Sequence, residues 1–260
     1  MRQASHRAAL AMLLLAGLAG PGRAQAVDTT QSCGAPAELL DAGGVALPTT
    51  ARAVQEGKLR ILVIGSASVF GPGSSGPQAA WPARMEALLA RRFPGLAITV
   101  EVRGGRGLLA AETAGLLIAE LPVLRPHLVL WQSGTVEAVR AIEPERLTDP
   151  LNEGAARVAA SGADLVLLDQ QFSRFLRANT NVDLYREAIR LVAAAHGVPV
   201  LRRYELMHFW AETDRVDLER APREMRVVVA DRLNACLGGA VAALIVDGIA
   251  EARGKVSARP

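Results

Sequence analysis

The chain has 260 residues, of which 50% are hydrophobic, with 29 Lys and Arg side chains against 26 Asp and Glu. Three of the basic residues, Arg2, Arg7 and Arg23, lie within positions 1–26, which hold no acidic residue, so the rest of the chain is electrically balanced. A balanced domain has no general attraction for polyanions. We therefore expect no nucleic-acid partner.

Residues 1–26 have the order of features found in secretory signal peptides: a basic start, the apolar run Ala8–Ala19, and the small residues of Ala24-Gln25-Ala26. The apolar run is shorter than the ~20 residues that a membrane helix needs. No later segment looks long and uncharged enough to replace it. We predict cleavage after Ala26, export to the periplasm or the medium, and no membrane span afterwards; an uncleaved anchor is the alternative.

Residues 27–58 are predicted to form an N-terminal extension that packs on the main domain, with short helices near Ala37–Asp41 and Thr50–Glu56. The extension holds Cys33, and the second of the two cysteines in the sequence is Cys236, in a late helical pattern. An even pair of cysteines in an oxidising compartment is usually bridged, which predicts a Cys33–Cys236 disulfide. Two unrelated buried thiols are the alternative.

Five short runs rich in Val, Leu and Ile come next, each followed by a helical pattern. The predicted strands are Arg60–Gly65, Ile98–Val102, Leu128–Gln132, Asp164–Asp169 and Val198–Arg203. The predicted helices are Ala83–Arg92, Leu109–Leu121, Leu151–Ser161, Leu184–Ala195 and a closing helix over about Val227–Ala252. Repeated strand–helix units predict an α/β fold, a three-layer α/β/α sandwich around a five-stranded parallel sheet. This domain is expected to span residues 59–252, followed by a frayed polar tail at 253–260.

Open parallel sheets bind their ligands beyond the carboxyl ends of the strands, so the turns after the first three strands are the candidate site. These turns read Gly65-Ser66-Ala67-Ser68, Arg103-Gly104-Gly105 and Gln132-Ser133-Gly134-Thr135-Val136. Their order and spacing resemble those of the SGNH (GDSL-like) hydrolases over about Leu59–Ile249. The resemblance implies a flavodoxin-like sandwich of the kind that the strand pattern predicts.

The resemblance also implies a chemistry. SGNH hydrolases cleave or transfer acyl esters with a serine nucleophile, and their oxyanion is held by backbone N–H groups and an asparagine side chain. In this chain the nucleophile position is Ala67, the oxyanion glycine is Gly104, and the asparagine position is Val136. A methyl group cannot attack an ester, and an isopropyl group cannot donate a hydrogen bond.

The family's acid–base pair is an Asp-x-x-His just before the last helix. Counting back from Cys236, this pattern falls on Met225-Arg226-Val227-Val228, and the chain contains no Asp-x-x-His at all. A slipped match pairs Asp217 with Arg220, which again supplies no base.

The favoured interpretation is therefore an exported, catalytically degenerate SGNH-like protein that acts as a binding or accessory protein. Its binding site would be a relic pocket, formed by Ser66, Ala67, Gly104, Gln132, Gly134, Thr135 and Val136. By resemblance, the ligand would be an acylated lipid or glycan, and the partner a protein of the cell envelope. We expect no cofactor and no metal, since the histidines are isolated in the sequence and no phosphate-binding loop is present.

Two alternatives stay open. In the first, Ser68 or Ser66 replaces the missing nucleophile, with His208 as base and Glu205 as its acid, which would give an active ester hydrolase or acyltransferase. This alternative requires the His208 imidazole to lie within hydrogen-bond reach of one of the two serines. In the second, the protein is a purely structural envelope component, and side chains fill the relic pocket.

Overall fold

A computed structural model describes residues 32–257. Five parallel strands form one sheet in the order β2-β1-β3-β4-β5. The strands are β1 (Lys58–Ser66), β2 (Ala97–Gly105), β3 (Leu128–Gln132), β4 (Asp164–Leu168) and β5 (Val200–Leu201). The helices are α1 (Pro48–Gln55), α2 (Trp81–Arg92), α3 (Ala110–Leu124), α4 (Thr135–Val139), α5 (Glu145–Ser161), α6 (Arg174–Asn179), α7 (Val182–His196), α8 (Arg203–Glu212) and α9 (Arg226–Ser257). The predicted α/β sandwich is confirmed, whereas the predicted signal peptide lies outside the described residues.

The central strand β1 explains why the sandwich has two cores. Successive side chains of a strand point to opposite faces of the sheet, so Ile61 and Val63 face one layer of helices while Leu62 and Ile64 face the other. The first core includes residues of α1, α2 and α9, and the second includes residues of α3, α5 and α7. Because both faces are covered there, β1 is apolar and buried without interruption from Ile61 to Gly65.

The end of the sheet differs from the sequence prediction. The predicted strand Val198–Arg203 is too long. Strand β5 is restricted to Val200–Leu201, and helix α8 begins at Arg203. The buried Asp169 carboxylate accepts a hydrogen bond from the Tyr204 N–H at 2.9 Å, in the first turn of α8. This contact fixes the start of a helix that the apolar pattern did not reveal.

Helix α9 closes the domain and is longer than predicted, since it runs to Ser257 through most of the expected polar tail. It lies close to α2: a Cβ added at Gly238 would sit 2.9 Å from the Trp81 carbonyl oxygen. The predicted disulfide is confirmed, with Cys33 and Cys236 bonded and their Cα atoms 5.3 Å apart. The bridge ties the N-terminal extension to this helix.

The expectation that no segment after residue 26 is long and apolar enough to cross a membrane is wrong. The helical segment Arg223–Lys255 is long and apolar enough to cross a membrane by length and composition, with a mean hydropathy of 1.8 over its most apolar window. In the described fold 61% of that window is buried, and residues such as Val241 and Ile245 belong to the first core. A helix that covers a sheet passes the same composition test as a membrane span.

Candidate functional site

The first three strands bring their terminal turns together at one edge of the sheet. Gly65 of β1 lies beside Gly104 of β2. A Cβ at Gly104 would sit 1.9 Å from the Gly65 carbonyl oxygen, so only glycine fits there. The chain then leaves β1 through a 3₁₀ turn over Ala67–Phe70, which ends at Gly71 in the left-handed conformation with φ of 61°.

The structure divides the predicted relic pocket into two unequal spaces. Ser66 lines a recess of about 10 Å³ together with Gln132, Gly134, Thr135 and Val136. Ser68 lines a separate cavity of about 170 Å³. We call these the Ser66 recess and the Ser68 cavity. Ala67, at the nucleophile position, is partly exposed on the turn between the two serines.

The Ser66 recess is too small for a ligand. A water molecule needs about 10–15 Å³, so the recess has room for one water at most. Side chains occupy the surrounding space: Val136 lines the recess, and the neighbouring Glu137 is buried and accepts a hydrogen bond from the Ala110 N–H at 2.5 Å.

The buried Gln132 connects the two serines. Its Nε2 donates a hydrogen bond to the Ser68 Oγ at 2.6 Å and lies 3.5 Å from the Ser66 Oγ. Its Oε1 is buried without a hydrogen-bond partner. An amide has neither the basicity nor the titrating proton of an imidazole, so Gln132 positions the Ser68 hydroxyl but cannot deprotonate it.

The acid and base of the first alternative are not brought to either serine. His208 lies on α8 with its Nε2 3.1 Å from Arg177 Nη1 and 3.7 Å from Glu212 Oε1. Within residues 32–257, no hydrogen bond joins the His208 ring to Ser66 or Ser68. Glu205 instead accepts hydrogen bonds from Arg186 and Arg190, so it does not orient the imidazole.

The segment expected to match the family's Asp-x-x-His also carries no acid–base pair. Met225, Val227 and Val228 are exposed apolar side chains at the start of α9. Asp217 is bound to Arg174, with a shortest distance of 2.9 Å, and it accepts a hydrogen bond from the Arg220 N–H at 3.2 Å.

The prediction missed a charged wall behind the Ser68 cavity. Asp169 follows β4 and Arg203 follows β5, and their side chains are 1% and 3% exposed. Burial raises the pKa of Asp169 to about 6, while the Tyr204 N–H and the Arg186 charge act in the opposite direction. Burial lowers the pKa of Arg203 to about 10, partly offset by the charge of Asp169. Charged residues at the ends of two apolar strands are the sequence signal that could have identified this wall.

The Ser68 cavity has one polar side and one apolar side. The lining residues that carry polar side-chain groups are Ser68, Trp81, Gln171, Ser173, Arg203, Glu219 and Asn234. Its apolar lining is provided by Phe172, Met207, Leu218, Ala230, Leu233 and Leu237, the last three on α9. Within residues 32–257, no group of three or more His, Cys, Asp and Glu residues could hold a metal ion.

Comparison with solved structures finds the same fold in several other proteins. The protein is similar to TesA, with a TM-score of 0.56 and 20% identity over 68% of this chain and 94% of that one. It is also similar to LAE5, an α/β hydrolase enzyme from the metagenome of Lake Arreo, Spain. The TM-score is 0.54, with 19% identity over 70% of this chain and 96% of that one. The third similar structure is a two-domain esterase active on acetylated mannans, with a TM-score of 0.58 and 13% identity over 78% of this chain and 56% of that one.

No curated protein matches the sequence. At these identities the solved structures show the fold alone. The family follows from a separate comparison, in which the model of the non-GDSL lipase-like family matches residues 32–251. This match spans most of the chain, and the fold and the order of the three turns agree with it. The protein belongs to the non-GDSL lipase-like family, within the SGNH/GDSL type of hydrolase fold.

Proposed function

We propose that the protein is a catalytically inactive member of its family that binds an acylated ligand in the Ser68 cavity. The observation that carries this proposal is the partner of the Ser68 hydroxyl, which is the Gln132 amide at 2.6 Å and not an imidazole. Loss of a single oxyanion donor already reduces the rate of acyl transfer by ~10²–10³. Here the nucleophile, the asparagine donor and the base are all replaced.

The position and lining of the cavity support an acyl ligand. Ser68 lies one residue from the nucleophile position, so the cavity opens where the family presents its substrate ester. Its apolar side suits a short acyl chain, and its polar side suits an ester or carboxylate group. By analogy with its esterase relatives, the ligand in the cell would be an acylated glycan or lipid.

Export is part of the same proposal. The Cys33–Cys236 disulfide supports it, because such bridges persist in oxidising compartments and are rare in the cytosol. A binding protein in the cell envelope would act by presenting or retaining an acylated molecule for an enzyme of the same compartment.

A fluorophosphonate probe tests the loss of catalysis in the purified protein. We expect no covalent labelling, and no hydrolysis of p-nitrophenyl butyrate above the buffer rate. The Ser68→Ala and Ser66→Ala variants should give the same background. Stoichiometric labelling that disappears in either variant would establish the active-hydrolase alternative instead.

Binding is tested separately with methyl hexanoate, an uncharged ester, by isothermal titration calorimetry. We expect Leu218→Trp to weaken binding, because Leu218 is a half-buried lining residue and a larger side chain narrows the cavity. The matched control is Leu184→Trp, at a residue that is 54% exposed on α7. Equal affinity in the two variants, or no binding to the wild type, would contradict an acyl site in this cavity.

A further inference from the structure

The most unusual feature of the Ser68 cavity is an unneutralised cation in its wall. Arg203 is 3% exposed, and its guanidinium makes one hydrogen bond, from Nη2 to the neutral Gln171 Oε1 at 3.2 Å. Its Nε and Nη1 are buried without a hydrogen-bond partner. Buried charges are normally paired, since an isolated one is costly to remove from water.

The nearby carboxylate of Asp169 does not pair with Arg203. Asp169 Oδ1 accepts a hydrogen bond from the Tyr204 N–H, and Asp169 Oδ2 lies 3.7 Å from Arg186 Nε. No ion pair joins Arg203 to a carboxylate of residues 32–257. Asp169 therefore contributes long-range attraction but accepts no hydrogen bond from Arg203, whose Nε and Nη1 stay unpartnered.

A second residue of the cavity lining, Trp81, also carries an unpartnered donor. Trp81 is fully buried, and its indole Nε1 has no hydrogen-bond partner. The backbone N–H of Trp81 is already used by Asn234 Oδ1 at 3.0 Å, so the orphan donor is the indole group. Two unpartnered donor groups in one wall favour a ligand that supplies acceptor oxygens and negative charge.

The lining also contains an acidic residue, Glu219, which bears on any anionic ligand. Its carboxylate accepts hydrogen bonds from the Ser173 hydroxyl at 2.7 Å and the Arg174 N–H at 2.9 Å. It also lies 3.6 Å from the Arg174 guanidinium, and its side chain is 40% exposed. Glu219 is therefore neutralised by its own partners and by solvent, unlike Arg203.

The volume limits the length of the ligand. A cavity of about 170 Å³ is close to the ~150 Å³ of an engineered apolar cavity that holds a benzene molecule, which has six carbon atoms. The leucines at 233 and 237 of α9 supply apolar surface for a chain of that size. A long acyl chain would have to leave the cavity.

From these contacts we infer that the Ser68 cavity binds a short-chain carboxylate, whose carboxylate group is held by Arg203 and the Trp81 indole N–H and whose tail lies against α9. This inference rests on the proposed function and names the charge of its ligand. The site would bind the free acid of a short acyl group more tightly than its ester.

Calorimetry with hexanoate, 1-hexanol and methyl hexanoate tests the inference. The three ligands have tails of the same length, and only hexanoate is charged. We expect hexanoate to bind the wild type at least tenfold more tightly than 1-hexanol does. Replacing the cation by Arg203→Met should weaken hexanoate binding about tenfold to a hundredfold, the value of hydrogen bonds to a charged group, and leave 1-hexanol binding within about twofold.

Two further variants separate charge recognition from folding. Trp81→Phe keeps an aromatic ring and removes the indole donor, and we expect severalfold weaker hexanoate binding. The matched control is Arg202→Met, which removes the neighbouring arginine, a residue outside the cavity that lies 3.6 Å from Glu205. If Arg203→Met does not fold, the preference of the wild type for hexanoate and the Trp81→Phe result decide the question.

The outcomes distinguish the inference from the function on which it rests. Equal binding of the three ligands, with no loss in Arg203→Met or Trp81→Phe, would overturn the carboxylate site and leave the acyl-binding function standing. Failure of every ligand to bind folded protein would overturn both. Conversion of methyl hexanoate to hexanoate and methanol would overturn catalytic inactivity, whereas a tenfold loss of hexanoate binding in Arg203→Met would still support the Arg203 site.

Discussion

The two sides of the turn after β1 enclose spaces of very different volume. On one side the Ser66 recess holds about 10 Å³ and is lined by Val136, the residue that the resemblance assigns to the family's oxyanion amide position. On the other side the Ser68 cavity keeps about 170 Å³ and a buried arginine with free donors. The difference teaches that two serines separated by one residue on a turn can line spaces of very different volume, one too small for a ligand and one large enough for a short chain.

The largest effect on stability should come from removing the disulfide that holds α9, a helix that forms part of the wall of the Ser68 cavity. The double variant Cys33→Ser/Cys236→Ser removes the bridge to α9, the helix that supplies Leu233 and Leu237 to the cavity. We expect the free energy of unfolding to fall by about 2–5 kcal/mol, measured by urea denaturation. Addition of a reductant should destabilise the wild type similarly and leave the variant unchanged. An unaltered unfolding curve would mean that packing alone holds the N-terminal extension against α9.

The second effect concerns the charged wall and depends on pH. The Asp169 carboxyl has a pKa raised from 3.8 to about 6, so the folded protein keeps this proton in a range where the unfolded chain has lost it. The contribution of Asp169 to stability is therefore most favourable below about pH 4 and declines as the pH rises to about 6. We expect Asp169→Asn to remove this decline, which is about 3 kcal/mol at ~1.4 kcal/mol per pKa unit.

Urea denaturation at a series of pH values measures this difference. The matched control is Asp183→Asn, because Asp183 also pairs with Arg186 but its side chain is 78% exposed. We expect that control to retain the wild-type decline between pH 4 and pH 6. Parallel pH profiles for wild type and Asp169→Asn would show that the buried carboxyl does not titrate in this window.

The smallest effect on stability should come from a substitution in the second core, which contains Trp131. Gly154 of α5 lies against the Trp131 ring, and an added Cβ would sit 2.3 Å from a ring carbon. The Trp131 indole is itself fixed by a hydrogen bond to the Thr113 hydroxyl at 3.0 Å, so it cannot move away without losing a partner. We expect Gly154→Ala to destabilise the fold by about 1–3 kcal/mol in urea denaturation.

The control for this substitution is Gly115→Ala on α3, where an added Cβ meets nothing within 4 Å. There the higher helix propensity of alanine should stabilise the protein by up to about 1 kcal/mol. Stabilisation by both substitutions would mean that the second core tolerates an extra methyl group beside Trp131.

Much of the fold was predictable because its strands are buried on both faces. Continuous apolar runs identified β1, β3 and β4, and β3 was predicted at its observed bounds, Leu128–Gln132. The pattern failed at β5 and α8, where a polar contact between Asp169 and the Tyr204 N–H sets the boundary. Such a contact joins residues far apart in the chain, so no local period records it.

The site was less predictable than the fold. The sequence located the turns, because the strands that precede them have a local apolar pattern; the assignment of Ala67 to the nucleophile position stays a prediction. It also paired Glu205 with His208 by their spacing, whereas in the structure each side chain has arginine partners of its own. Spacing on one helix places two residues near each other but does not decide which neighbours from other elements compete for them.

By itself, the sequence determined the layers of the sandwich, the disulfide and the location of the three turns. These follow from apolar periodicity, from cysteine number and from position along the chain. Tertiary structure alone decided that the predicted pocket is split, that Gln132 binds Ser68, and that Arg203 lines the Ser68 cavity while two of its nitrogen atoms stay unpartnered. The physical reason is that the volume of a cavity and the pairing of a buried charge depend on side chains from several elements, which meet only when the sheet and its helices pack.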